Sequence, residues 1–140
     1  MFFVFDRIIK NSISSKAISW PRHLIGDFFT FNFTPNYYIS FSLPIGGVLL
    51  NWIILSIILI LLFITIYLIL AKKYKNNEYL PLTFIIFGAI SNVLDRFNYG
   101  YVIDYLDLKY FTVFNLADTM ITIGVCWLIY LNLKATKKYV

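Results

Sequence analysis

Apolar residues run from position 49 to 71, LLNWIILSIILILLFITIYLILA, 23 residues without a charge. At about 1.5 Å per residue, a helix of that length covers the roughly 30 Å of hydrocarbon in a bilayer. The run stops at Lys72-Lys73-Tyr74-Lys75, and a polar linker, Asn76-Asn77-Glu78, follows. A second uncharged stretch, residues 79–94 (YLPLTFIIFGAISNVL), stops at Asp95. Pro81 fits the first turn of a helix, where its missing N–H costs nothing. A third run, residues 111–133, carries one charge, Asp118, near its start. The pattern predicts membrane-crossing helices over 49–71, 79–95 and 114–133, with a polar, aromatic loop over 96–110.

The start of the chain reads differently. Met1-Phe2-Phe3-Val4-Phe5 is apolar but far too short to span a bilayer, and it lacks the basic start and cleavage site of a signal peptide. Residues 1–6 read as the remnant of a first transmembrane helix, and roughly 10–15 further apolar residues are expected upstream. Residues 7–47 are broken by Lys16, Pro21, Arg22, Asp27 and Pro35, so they form an extracytoplasmic segment. Within it, Phe29-Thr30-Phe31-Asn32-Phe33-Thr34 alternates with the period of a half-buried strand. Pro44-Ile45-Gly46-Gly47 reads as a turn into the first long span. The expected fold is an all-α membrane protein, a small transmembrane helical bundle with a small β-containing extracytoplasmic segment. Residues 1–140 form a single polytopic domain.

Composition sharpens this. Of the 140 residues 60% are hydrophobic and 14% charged, against nearer half and a quarter in soluble domains. A soluble globular domain and a disordered chain are both excluded. One cysteine allows no internal disulfide, and one histidine argues against a histidine-based metal site. The net charge of +5 is not gathered on one face, so it argues for membrane topology and against nucleic acid. Lys72, Lys73, Lys75, Lys134, Lys137 and Lys138 fall on one side of the three expected spans, which the positive-inside rule makes cytoplasmic. Arg7, Lys10, Lys16, Arg22, Arg96 and Lys109 are spread thinly over the other side.

Charges at membrane depth are expensive and by default mark function. Asp95 closes the second span and Asp118 opens the third, so both lie at the outer ends. Asn92 stands three residues before Asp95, and Asn115 three before Asp118. On a helix each Asn shares a face with its Asp. Two readings stay open. Either the carboxylates meet as a reactive pair polarised by the amides, or Asp118 caps a helix N-terminus and each Asn makes an interhelical hydrogen bond. Gly88 and Ala89 would allow close packing on a neighbouring helix.

The ordered motifs Asn92-Val93-Leu94-Asp95-Arg96, Gly100-Tyr101-Val102-Ile103-Asp104 and Phe114-Asn115-Leu116-Ala117-Asp118 resemble those of lipoprotein signal peptidase, or signal peptidase II. That family's patterns are G-N-x-x-D-R, G-x-V-x-D and F-N-x-A-D. Asp6-Arg7-Ile8-Ile9-Lys10 resembles the D-Q-x-x-K that ends the family's first helix, and residues 36–41 resemble its R-N-x-G-A-A-F stretch. Arg7 stands for Gln, Ser91 for Gly, Pro35 for Arg, and Tyr38-Ile39-Ser40 for Gly-Ala-Ala. The resemblance implies a four-span aspartic endopeptidase of the bacterial inner membrane, its first span nearly missing here. Such an enzyme removes signal peptides from prolipoproteins, cutting just before the diacylglyceryl-cysteine. It implies Asp95 and Asp118 as the catalytic dyad, with supporting or substrate-binding roles for Asp6, Lys10, Asn36, Asn92, Arg96, Asp104 and Asn115. It further implies no cofactor or metal, no nucleic acid, contact with membrane lipids, a monomer, and a site on the outer-leaflet side.

Other classes compete. A membrane lipid phosphotransferase would use Asp104 and Asp107 as metal carboxylates, but the D-G-x-x-A-R that precedes such a site is missing. A non-enzymatic membrane scaffold would need no paired polar geometry. A serine–lysine peptidase would pair Ser91 with Lys10. Cys126 is expected to pack mid-helix and His23 to be solvated. Tyr99, Tyr101 and Tyr105 are candidates to line the substrate's access route.

Overall fold

The structure is a computed structural model describing residues 1–15, 21–39, 43–71 and 79–136. In chain order, α1 (Phe2–Ser14) precedes four short strands, β1 (Arg22–Ile25), β2 (Phe29–Asn36), β3 (Tyr38–Ile39) and β4 (Leu43–Gly46). Two helices follow, α2 (Val48–Leu70) and α3 (Tyr79–Tyr99), then β5 (Val102–Leu108) and α4 (Leu116–Thr136). Among the described residues, three helices are long and apolar enough to cross a membrane: Val48–Leu70, Tyr79–Tyr99 and Leu116–Lys134. The expected helical membrane bundle with a small β segment is therefore what forms.

The α2 helix is apolar all round and leaves most of its surface bare, Trp52, Phe63 and Leu70 included. Such a helix has lipid as its solvent. Its inner stripe carries Leu50, Ile58 and Thr65, and Ile58 packs on Ile86 and Val93 of α3. Helices α3 and α4 approach far more closely. A Cβ on Gly88 would stand 2.5 Å from the Ala117 carbonyl oxygen, and one on Gly124 would stand 2.7 Å from that of Pro81. Only residues without a Cβ permit this spacing, as small residues do between membrane helices. Cys126, expected to pack, is exposed on α4, because the α3 contact uses the Gly124 side instead.

The strand expected over 29–34 is present and runs on to Asn36. It is the centre of an antiparallel sheet of order β1-β2-β5, while β3 and β4 form a separate pair. Residues 96–110 are not a loop. They hold the last turn of α3, a reversal at Gly100 (φ 81°) and β5. The two aspartates of β5 made it read as polar, yet each meets an asparagine of β2. Asn36 Nδ2 donates to Asp104 Oδ2 at 2.9 Å, and Asn32 Nδ2 donates to Asp107 Oδ2 at 3.2 Å. Val102, Ile103 and Tyr105 of the same strand are buried.

The α1 helix also continues past residue 6, into the stretch read as an outer segment. Asp6, Lys10 and Ile13 form its buried stripe at helical spacing. Two of the three are charged, Lys10 facing Asp95 of α3 and Asp6 accepting from Lys10, Ser91, Tyr105 and the Ala117 N–H, so hydrophobic periodicity hid the helix. The basic linker 72–78, Lys16, Ser40, and Lys137 and Lys138 lie outside the described residues.

Candidate active site

Asn115 stands just before the first turn of α4. Its side-chain Oδ1 accepts the Asp118 N–H at 2.9 Å, and its own N–H donates to Asp118 Oδ2 at 3.2 Å. This is a reciprocal capping box, with the acid at the third helical position. It explains the Asn-x-x-Asp spacing and leaves the Asn115 amide nitrogen free for other acceptors. That nitrogen donates to Asp104 Oδ1 at 2.7 Å and to Asn92 Oδ1 at 3.1 Å. Asn92 Nδ2 in turn donates to Asp118 Oδ1 at 2.8 Å. Asp104 and Asp118 are thus tied to one residue, and both line one cavity of about 430 Å³. Asn36, Phe114 and Thr119 line it as well.

Asp104 is enclosed, and burial pushes its carboxyl up to about 7. The neighbouring Asp118 pushes the same way, while hydrogen bonds from Asn36 and Asn115 and the charge of Lys10 pull it back. Two carboxylates facing one cavity cannot both ionise easily, so such a pair keeps a proton near neutral pH.

Asp95 sits elsewhere. Its side chain is fully enclosed, with Arg7 NH1 2.5 Å from Oδ1 and Lys10 Nζ 2.8 Å from Oδ2. The Ile103 N–H donates to it as well, at 3.2 Å. It does not line the cavity. The pairing of Asp95 with Asp118 expected from their matched spacing is therefore not the pair the geometry brings together. Asn92-x-x-Asp95 lies inside α3, where both side chains serve Lys10, whereas Asn115-x-x-Asp118 is a helix cap. Asp104, expected only as a supporting residue, takes the place beside Asp118. Its signal in the sequence was a lone carboxylate among Val102, Ile103 and Tyr105, all strand formers.

The remaining expected residues fall around this centre. Lys10 Nζ lies 3.1 Å from Asp6 Oδ2 and donates to Asn92 Oδ1 at 2.9 Å. Asp6 Oδ1 accepts the Tyr105 hydroxyl at 2.9 Å and the Ala117 N–H at 3.3 Å. Tyr105 is buried and ties α1 to the start of α4, so it does not line an access route. Burial and the adjacent Asp6 push its phenol up, keeping it a donor. Tyr99 and Tyr101 instead join Phe33 and Tyr37 in an aromatic cluster centred on Tyr101. Arg96 donates to the Tyr38 carbonyl at 2.8 Å, and its enclosed Nε has no hydrogen-bond partner among the described residues. His23 is exposed beside Asp27, at 3.2 Å.

Competing chemistries fit this arrangement poorly. Asp104 and Asp107 are three apart on a strand, which turns them to opposite faces, and each is bound to its own asparagine. Ser91 Oγ donates to Asp6 Oδ2 at 2.6 Å and has no direct bond to Lys10, so it is not a lysine-activated nucleophile.

Comparison with known proteins places the chain in one family. Residues 1–134 match the family model described as signal peptidase (SPase) II. A lipoprotein signal peptidase of Caldicellulosiruptor bescii is 38% identical over 132 residues, covering 94% of this chain and 85% of that protein. One of Halothermothrix orenii is 33% identical over 127 residues, covering 89% and 84%. A solved bacterial membrane enzyme superposes with a TM-score of 0.82 at 25% identity, over 98% of this chain and 85% of its own. Apolar spans, buried carboxylates and matched relatives lead to one conclusion: the chain belongs to the signal peptidase II family of membrane aspartic peptidases.

Proposed function

We propose that this multi-pass membrane protein cleaves signal peptides from lipid-modified prolipoproteins, with Asp104 and Asp118 as its catalytic carboxylates. The observation that carries this reading is the Asn115 side chain and N–H, which hold both acids against one cavity while Asp95 is neutralised by Arg7 and Lys10. The substrate class rests on the names of the relatives.

The chemistry follows from the pair. One carboxyl of the pair holds the shared proton and the other is ionised; the base role is assigned to Asp118, which accepts from both Asn92 Nδ2 and the Asn115 N–H, and the proton to Asp104. Asp118 takes a proton from a water molecule in the cavity as its oxygen attacks the scissile carbonyl carbon. The protonated Asp104 donates a hydrogen bond to the carbonyl oxygen as negative charge develops there. The tetrahedral adduct collapses with the C–N bond breaking. Asp118 returns the proton it took from water to the leaving nitrogen, restoring the pair and giving a new carboxyl end on the signal peptide and a free amine on the lipidated cysteine. No cation is needed for any step.

The cavity opens near the first turn of α4, at the end opposite Lys134. By the positive-inside rule this supports a site at the outer-leaflet side of the bacterial cytoplasmic membrane. A diacylglyceryl substrate would keep its acyl chains in lipid there.

The test is cleavage by purified protein, read as a gel shift. A prolipoprotein carrying the diacylglyceryl-cysteine should be cut, with or without EDTA, and the same precursor lacking the lipid should not. Equal cleavage of both precursors, or loss of cleavage in EDTA restored by Mg²⁺, would contradict the reading.

A further inference from the structure

Two positions at which the chain departs from the pattern it resembles, Arg7 and Ser91, touch each other. Arg7 NH1 donates to the Ser91 carbonyl at 3.2 Å and to Ser91 Oγ at 3.4 Å, while reaching Asp95 Oδ1 at 2.5 Å. Ser91 Oγ donates onward to Asp6. The Arg7 side chain is 16% exposed and that of Asp95 is fully enclosed. Asp6 and Asp95 are thereby balanced by Arg7 and Lys10, and the buried group carries no net charge.

Lys10 has three donors and three acceptors: Asp6, Asp95 and Asn92. Its bond to Asn92 Oδ1 orients that amide so that Nδ2 points to Asp118. Were Arg7 uncharged, Lys10 would be the one cation in direct contact with Asp95 among the described residues, and the ammonium would be drawn toward it and off Asn92. We infer that Arg7 is a positioning residue of the proposed peptidase: seated by Ser91, it neutralises Asp95 and so leaves Lys10 to hold Asn92 against Asp118. This rests on the assignment of Asp118 and Asp104 as the working pair.

The charged and titratable groups facing the cluster are Asp6 and Lys10 of α1, Arg96 of α3, Asp104 and Tyr105 of β5, and Asp118 of α4. Removing the Arg7 charge leaves the cluster at −1, which disfavours ionisation of the nearby pair. Losing the Asn92 donor acts in the same direction. Both move the pair's titration upward.

The experiment compares Arg7→Gln, Arg7→Lys, Ser91→Gly and the double variant Arg7→Gln/Ser91→Gly in the full chain, purified in detergent. For Arg7→Gln the pH–rate profile should move up by about one unit, the shift expected from one charge roughly 10 Å away at an effective dielectric near 20. Its kcat should fall about tenfold, with KM within about twofold. Arg7→Lys keeps the charge and should keep the profile in place. Ser91→Gly should give a smaller upward shift, and the double variant should be no worse than Arg7→Gln. A profile for Arg7→Gln that superimposes on the parent, or additive effects of the two changes, would overturn the inference. Should Arg7→Gln not fold, Ser91→Gly decides alone: an upward shift supports the inference and an unmoved profile overturns it. Infrared titration of the protonated-carboxyl band, assigned by its loss in Asp104→Asn, reads the same shift without turnover. An inactive parent protein would thus count against the peptidase reading, while this titration still decides on Arg7.

Discussion

Lys10 Nζ lies 2.8 Å from Asp95 Oδ2, and both side chains are fully enclosed. A lysine from the start of the chain thus occupies the carboxylate that its place at a helix end marked as reactive. The contact joins α1 to α3 through Asp95, and in the proposed mechanism the chemistry falls to the carboxylate of β5.

That contact predicts the behaviour of Asp95→Asn. Removing one member of a buried ion pair leaves its partners uncompensated, at a cost of about 3–5 kcal/mol. Here Arg7 and Lys10 lose the anion they share, and Lys10 keeps Asp6 as its remaining carboxylate. Thermal unfolding in detergent should show Asp95→Asn strongly destabilised, while Asp104→Asn, which replaces a buried carboxyl by an amide and ends its desolvation cost, melts at or above the parent temperature. Parent-like melting of Asp95→Asn would contradict the structural role.

The raised carboxyl of Asp104 predicts how stability varies with pH. Its folded value is about 7, above the ordinary carboxylate range near 4. The folded state therefore holds the proton more tightly than the unfolded state. The stabilisation is complete below about pH 4 and is lost as pH rises through about 7. Melting temperature should fall across that window, and Asp104→Asn should flatten the fall. An unchanged slope in the variant would show that another group is responsible.

Asn115 has two separable roles. Serine is also a good N-cap, so Asn115→Ser keeps the end of α4 but loses the amide donor to Asp104. Stability should drop by less than about 1 kcal/mol, whereas kcat falls about 10²-fold, the scale of losing a donor that positions a reacting group. Asn115→Ala should lose both. Cleavage by Asn115→Ser at the parent rate would contradict the bridging role.

The close approach of α3 and α4 gives a further expectation. Gly88→Ala places a methyl 2.5 Å from the Ala117 carbonyl oxygen and 2.8 Å from Ile121, so the first turn of α4 must move. Overpacking of this kind costs about 1–3 kcal/mol. Because that turn carries Asp118, activity should fall together with the melting temperature. A variant with parent stability and parent turnover would show that the helices have room to spare.

The three spans were legible because lipid imposes long uncharged runs, and β2 because Phe29 to Thr34 alternates. Elements whose buried faces are charged were not legible. The α1 helix hides Asp6 and Lys10, and β5 hides Asp104, so neither shows an apolar stripe of the expected period. The motif residues Asn92, Asn115, Asp104 and Asp118 do gather in one place, but their division of labour could not be read from spacing. The same Asn-x-x-Asp interval is a helix cap at 115–118 and a pair of lysine ligands at 92–95, and only the tertiary contacts of Lys10 and Arg7 tell the two apart.

The most direct test of the central claim is the cleavage rate of a lipid-modified prolipoprotein by Asp104→Asn, Asp118→Asn and their double variant, with folding checked by melting. Each single change removes the ionisable group and keeps its shape. Each should lower kcat by several orders of magnitude, and the double variant should be scarcely worse than either, because the two act as one unit. Near-parental turnover by either single variant would contradict the assignment of the Asp104–Asp118 pair.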